Sequence, residues 1–284
     1  MGYEPLLGDV QPLQPDDRLN GHLTMVRSGK SVRVLPVERP PSTGQPGAAD
    51  IPLVAVALVG GTGKLGSALA ARFAQAGHAV VIGSRDAVRA EQAAAALEEA
   101  MGGGGRVSGA ANAEAVSAAQ VVVVTVPFEA QEATLRGLAG AIGERVVIST
   151  AVPLRYVEGI GPTHVDVEEG SASQQVATLL PRARVVGALH TVSSATLART
   201  DRRLDADVLI TGDDAAAKVV VARLLASLSG LRVVDAGPLR NSRYVEQVTV
   251  LLLSINKRAR RNTGVRIVNL PDELAVPRAD GESP

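Results

Sequence analysis

Apolar residues along most of this chain come in short continuous runs, separated by stretches with helical spacing. Residues 53–59, Leu-Val-Ala-Val-Ala-Leu-Val, are nearly all apolar, the pattern of a parallel strand covered on both faces. Helical spacing follows at Leu65, Leu69, Phe73 and Ala76, stops at Gly77, and gives way to a second apolar strand over residues 79–82. An alanine-rich helix over 87–101, a strand over 120–126, a helix from about 129 to 142 and a strand over 145–149 continue the alternation. The second half is less regular. It predicts strands over 184–189, 206–211 and 231–235, a helix after Asp213 and Asp214, where an N-cap belongs, and a long apolar helix over 240–256. Strands alternating with helices at this spacing predict an α/β fold: a Rossmann-type doubly wound parallel sheet with a smaller C-terminal α/β part.

The first 50 residues differ. Residues 31–37 alternate enough for a short strand, and residues 40–47, Pro-Pro-Ser-Thr-Gly-Gln-Pro-Gly, read as a linker. The expected organisation is a proline-rich extension over 1–50, a dinucleotide-binding domain over 51–190, and a smaller domain over 191–284 ending in a flexible tail. Glycines 102 to 105 follow a helix, so they read as a helix-to-strand loop and not as a phosphate cradle.

Composition removes several chemistries. With no cysteine, disulfides, thiolate nucleophiles and cysteine-ligated metals are excluded. The 29 basic side chains balance 29 acidic ones, so the excess positive charge expected of a nucleic-acid partner is missing. The one basic cluster, Lys257-Arg258-Ala259-Arg260-Arg261, suits a solvated helix C-terminus. No apolar run reaches the roughly 18 residues of a membrane span, and the first ten residues lack the basic-then-apolar layout of a leader, which predicts a cytoplasmic protein. Aromatic residues make up 2% of the chain and tryptophan is absent, so a bound flat ring is expected to rest on aliphatic side chains and backbone.

The segment Gly61-Thr62-Gly63-Lys64-Leu65-Gly66 matches G-x-G-x-x-G directly after a buried strand and at the start of a helix. In that setting glycines let the backbone turn tightly and approach a pyrophosphate, while free N–H groups at the helix start face the phosphates. A carboxylate after the second strand would select NAD by holding the ribose 2′-hydroxyl. Gly83-Ser84-Arg85 stands there instead, and a guanidinium with a hydroxyl favours the 2′-phosphate of NADP(H). Arg89, four residues on, would lie on the same helical face and add charge, and Asp86 fits an N-cap. His164, Asp166 and Glu168 alternate as metal ligands on a strand would, but Gly161-Pro162 before them and Glu169-Gly170 after them predict a surface loop and no metal site.

Together with Gly60 to Gly66 and Val81-Ile82-Gly83-Ser84-Arg85, the segments Thr125-Val126-Pro127-Phe128, Gly170-Ser171-Ala172-Ser173-Gln174, Ala188-Leu189-His190-Thr191-Val192, Asp235-Ala236-Gly237-Pro238-Leu239 and Leu251-Leu252-Leu253-Ser254-Ile255-Asn256 resemble the NADPH-dependent F420 reductases, also called F420H2:NADP oxidoreductases. The likeness spans about residues 53–270. It implies hydride exchange between the nicotinamide and coenzyme F420, an 8-hydroxy-5-deazaflavin, as substrate, with no metal required. It implies 2′-phosphate contacts from Thr62, Ser84, Arg85 and Arg89, a pyrophosphate held by Thr62 to Leu65, and a cofactor wall formed by Val126, Ala130 and Val152. It also implies a homodimer. His190 follows a buried strand and is the candidate catalytic residue; with Thr191 and Ser193 it would position the deazaflavin, and a hydrogen-bonded core histidine is the competing reading. Two other functions stay open. The same domain could reduce a flavin, an imine or a small carbonyl compound, or it could sense the dinucleotide without turnover.

Overall fold

The computed structural model describes residues 23–28, 31–36, 53–103, 106–270 and 275–276. The chain forms two compact units, Met1–Gln45 and Pro46–Pro284. In the first, β1 (Leu23–Ser28) pairs antiparallel with β2 (Ser31–Pro36), so the expected strand at 31–37 is one arm of a hairpin. Residues 40–47, read as a linker, and the tail after 276 lie outside the described residues.

The second unit is built on one nine-stranded sheet. Six strands run parallel: β3 (Ala55–Val59), β4 (Ala79–Ser84), β5 (Val107–Ala111), β6 (Val121–Val124), β7 (Val146–Ser149) and β10 (Arg184–Gly187). They lie in the order β5-β4-β3-β6-β7-β10, which is the 3-2-1-4-5-6 order of a doubly wound dinucleotide fold. Beyond β10 the sheet continues with β11 (Ala206–Gly212), antiparallel to it, then β12 (Leu231–Asp235) and the short β13 (Ala275–Val276).

Alternate strand residues face opposite layers. Val56 and Leu58 of β3, Val121 and Val123 of β6, and Val146 and Ile148 of β7 pack on α1 (Lys64–Gln75), through Leu69 and Phe73, and share a cluster with Leu224 and Leu225 of α7 (Ala215–Ala226). Val59, Val122, Val124 and Val147 pack instead on Leu135, Leu138 and Ile142 of α4 (Phe128–Ile142) and Val176 of α5 (Ala172–Leu179). Each such side chain removed from water contributes about 1.5–3 kcal/mol, so the apolar runs hold both layers in place. The helix starts are capped as the sequence predicts in two places. Asp86 accepts from Arg89 N–H at 3.3 Å and opens α2 (Ala87–Ala100), and Asp214 accepts from Ala217 N–H at 2.8 Å and opens α7. Ser171 caps α5 through Gln174 N–H at 3.1 Å.

Several boundaries differ from expectation. β5 and α3 (Asn112–Ser117) occupy a stretch whose Ser, Gly and Ala residues carry little apolar pattern. The strand expected to reach residue 189 ends at Gly187, because Leu189 takes a left-handed backbone with φ of 67°. The long helix is α8 (Ser242–Ala259), preceded by a single 3-10 turn at Leu239–Asn241. His164 is not in a loop: it ends β9 (Gly161–His164), which pairs antiparallel with β8 (Leu154–Val157). No helix among the described residues is long and apolar enough to cross a membrane.

Candidate functional site

Strand order reverses between β3 and β6, and in open α/β sheets the crevice at that point, outside the carboxyl ends of the strands, is where ligands bind. The turn after β3 enters it. Gly61 N–H donates to Leu58 O at 3.0 Å and to Gly83 O at 2.9 Å, and Gly60 N–H donates to the side-chain oxygen of Asn112 at 3.3 Å, so β4 and the start of α3 fix the turn. The glycines are required by close approach. A Cβ on Gly66 would sit 2.5 Å from Gly61 Cα and 2.6 Å from Gly61 O, and one on Gly61 would sit 2.8 Å from Leu58 O. Gly63 is the N-cap of α1 and offers no side-chain acceptor, and the first turn carries no acid, so the helix start faces the crevice with its positive end unneutralised. Lys64 is exposed, while Thr62 and Leu65 are half-buried.

At the end of β4, Ser84 is buried and its Oγ accepts from Asp86 N–H at 3.2 Å, leaving the hydroxyl proton free to donate. Arg85 and Arg89 are exposed on either side of the Asp86 cap. Because α2 begins at Ala87, Arg85 precedes the helix while Arg89 lies in its first turn, so helical spacing does not relate the two. Across the crevice Thr125 Oγ1 donates to Val59 O at 2.9 Å, and Val126 lies so close over Gly60 that a Cβ there would meet its Cγ1 at 2.5 Å. Val126, Ala130 in the first turn of α4, and Val152 after β7 are each half-buried.

His190, Thr191 and Ser193 form a second group after β10. The left-handed Leu189 turns the chain so that the His190 side chain is wholly buried, and Thr249 Oγ1 donates to His190 O at 2.7 Å. Thr191 is buried too, while Ser193 is half-buried at the start of α6 (Ser194–Leu197). Arg72 of α1 ties this region to the phosphate-turn helix, donating from Nε to Leu197 O at 2.9 Å and from Nη2 to Arg199 O at 2.6 Å.

Inside the protein His190 meets two residues to which sequence reasoning assigned no role. Its Nε2 lies 3.4 Å from Ser173 Oγ and 3.9 Å from Glu246 Oε1, and its Nδ1 is buried without a hydrogen-bond partner among the described residues. Glu246 of α8 accepts from Ala172 N–H at 2.9 Å, Ser173 N–H at 3.1 Å and Ser173 Oγ at 2.9 Å, at the N-terminus of α5. Burial holds His190 down at about 4, well below its ordinary 6.5. Burial pushes Glu246 up to about 7, against three hydrogen bonds that favour the anion. Helical periodicity held a signal for Glu246: it falls on the buried stripe of α8 with Ser242, Val245 and Leu252, where an acid is out of place.

A family model described as NADP oxidoreductase, coenzyme F420-dependent, matches residues 55–153. A protein named F420-dependent NADP reductase from Methanothermobacter thermautotrophicus is 39% identical over 223 residues, covering 77% of this chain and 96% of that one. Its namesake from Methanocaldococcus jannaschii is 35% identical, over 76% and 98% of the two chains. A crystal structure from Arthrobacter sp. FB24, described as a candidate F420-dependent NADP-reductase, aligns with a TM-score of 0.66 at 28% identity, covering 77% of this chain and 100% of that chain.

Proposed function

The chain belongs to the coenzyme F420-dependent NADP oxidoreductase family, and from that membership we propose that it transfers a hydride between NADP(H) and the deazaflavin coenzyme F420. The observation that carries the reading is the turn at residues 61–66, which close packing against its own backbone restricts to glycine at 61 and 66, and whose helix start bears neither a side-chain cap nor an acid. That shape and polarity fit a pyrophosphate. Ser84, with a free hydroxyl proton, and the exposed Arg85 and Arg89 supply the donors and charge for a 2′-phosphate, and Thr62 to Leu65 hold the bridging phosphates. Val126, Ala130 and Val152 give the nicotinamide an aliphatic wall that keeps one ring face available and excludes water from the other. Residues 190–193, in the part of the chain after the sixth parallel strand, complete the deazaflavin side. When bound, the two rings supply the two-electron chemistry themselves. The protein's task is therefore distance and alignment.

The same membership supports a homodimer. Tyr244, Leu251 and Ile255 of α8 are 63%, 61% and 40% exposed, an apolar set that a second copy would cover. A cytoplasmic setting agrees with a small-molecule redox exchange.

The direct test offers purified protein NADPH together with the deazaflavin, FMN or FAD and follows NADPH oxidation. Rapid turnover with the deazaflavin is expected. Rapid turnover with FMN and none with the deazaflavin would overturn the reading.

A further inference from the structure

Glu246 is buried in the fold, and the hydride exchange assigns it no task. Its hydrogen bonds nonetheless dictate where a proton sits. Oε2 takes the Ala172 N–H, and Oε1 takes both the N–H and the hydroxyl of Ser173, so both lone pairs of Oε1 are occupied. A serine hydroxyl has one proton, and here it points at Glu246. Towards His190 Nε2, 3.4 Å away, Ser173 Oγ therefore offers only a lone pair. The hydrogen-bonded arrangement then needs the imidazole proton on Nε2. Nδ1 becomes a bare acceptor, and among the described residues nothing donates to it.

We propose that Glu246 is a positioning residue: acting through the Ser173 hydroxyl, it fixes His190 as the Nε2–H tautomer and keeps Nδ1 as an acceptor for an amide-type N–H of a bound ligand. Such a donor is carried both by a nicotinamide carboxamide and by the pyrimidine ring of a deazaflavin. Placing that donor at this site rests on the functional reading above; the tautomer does not. The low value to which burial brings His190 agrees with a neutral ring, in which one nitrogen donates and the other accepts. The structure contains its own control, because Ser173→Ala removes the relay while leaving Glu246 its two backbone donors.

The test is nitrogen-15 NMR of the full chain labelled at histidine, with no cofactor present, at mildly alkaline pH where Glu246 is ionised. His190→Gln identifies the His190 signals among those of the four histidines. In the wild type Nδ1 is expected to resonate as the unprotonated, pyridine-type nitrogen and Nε2 as the protonated one. Ser173→Ala should mix the two tautomers. Glu246→Gln, which frees the serine proton to turn towards His190, should shift the population to Nδ1–H. A wild-type ring protonated at Nδ1, or a tautomer unchanged in Ser173→Ala, overturns the positioning role, whether or not Glu246→Gln folds. Adding NADP+ and the deazaflavin in separate samples then locates the donor, since the one that supplies it moves the Nδ1 signal. If neither does, the acceptor role is overturned. All of the tautomer readings are made without cofactor and without turnover, so their failure is separate from a failure of the F420 assay.

Discussion

Exchanging Glu246 for glutamine, or His190 for glutamine, should change how stability depends on pH, and in opposite directions. In the folded protein Glu246 titrates at about 7 where an ordinary glutamate titrates at 4.5, and His190 at about 4 where an ordinary histidine titrates at 6.5. Glu246 has a raised folded value, so the stability it contributes is fully present below 4.5 and is lost as pH rises through about 7. His190 has a lowered folded value, so its contribution is fully present above 6.5 and is lost as pH falls through about 4. Each gap, at about 1.4 kcal/mol per pH unit, is worth about 3 kcal/mol. Between 4.5 and 6.5 the two nearly cancel, because the unfolded chain holds the proton on histidine and the folded chain holds it on Glu246. Removing one partner exposes the other. Measured by urea unfolding from pH 4 to 7, the stability of Glu246→Gln minus wild type should rise by about 3 kcal/mol between pH 4.5 and 7. The corresponding difference for His190→Gln should fall by about 3 kcal/mol between pH 4 and 6.5. Subtraction cancels the shared groups that do not touch the substituted residue. Two flat difference curves would refute the claim that burial displaces these groups in opposite senses.

Other substitutions probe the cofactor site and the second unit's core. Arg85→Ala should weaken NADPH binding by about 1.5–3 kcal/mol, the scale of a charged hydrogen bond, and leave NADH nearly untouched in a calorimetric titration; equal losses would remove Arg85 from 2′-phosphate recognition. Gly66→Ala should cost about 1–3 kcal/mol in thermal unfolding and abolish NADPH binding, because the added Cβ would meet the Gly61 backbone at 2.5 Å; unaltered affinity would contradict the proposed cradle. Asp207→Ala should destabilise by about 1.5–3 kcal/mol in urea, the scale of a charged hydrogen bond, since it removes a buried carboxylate that accepts from Arg232 at 2.8 and 2.6 Å and leaves that half-buried guanidinium only the Ile267 carbonyl. A loss below about 1 kcal/mol would show that the pair is not needed.

The parallel sheet was legible because its information is local: the runs at β3, β6 and β7 are apolar on both faces, and the turn at residues 61–66 follows its strand directly. The caps at Asp86 and Asp214 were legible for the same reason. What stayed hidden depends on residues far apart in the chain. Leu189 adopts a conformation that its side chain disfavours, and tertiary packing decides that, not local preference. The Gly161-Pro162 step reads as a break, yet pairing with β8 makes it the start of an edge strand, where a proline is tolerated. Ser173 and Glu246 are 73 positions apart, and only the packing of α5 on α8 turns an acid in an apolar stripe into a partner of His190. Helical spacing does not relate Arg85 to Arg89, because α2 starts at Ala87 and Arg85 lies before its cap.

A protein that only positions the two carriers lets hydride pass directly from one ring to the other. The most direct measurement of that transfer uses NADPH deuterated at the transferable C4 position, with the protein and oxidised deazaflavin in ordinary water, and reads the reduced product by mass spectrometry. One deuterium is expected at C5 of the deazaflavin for each NADPH oxidised, with none lost to solvent. Reduced deazaflavin carrying only solvent hydrogen, or NADPH oxidised with no deazaflavin reduced, would contradict it.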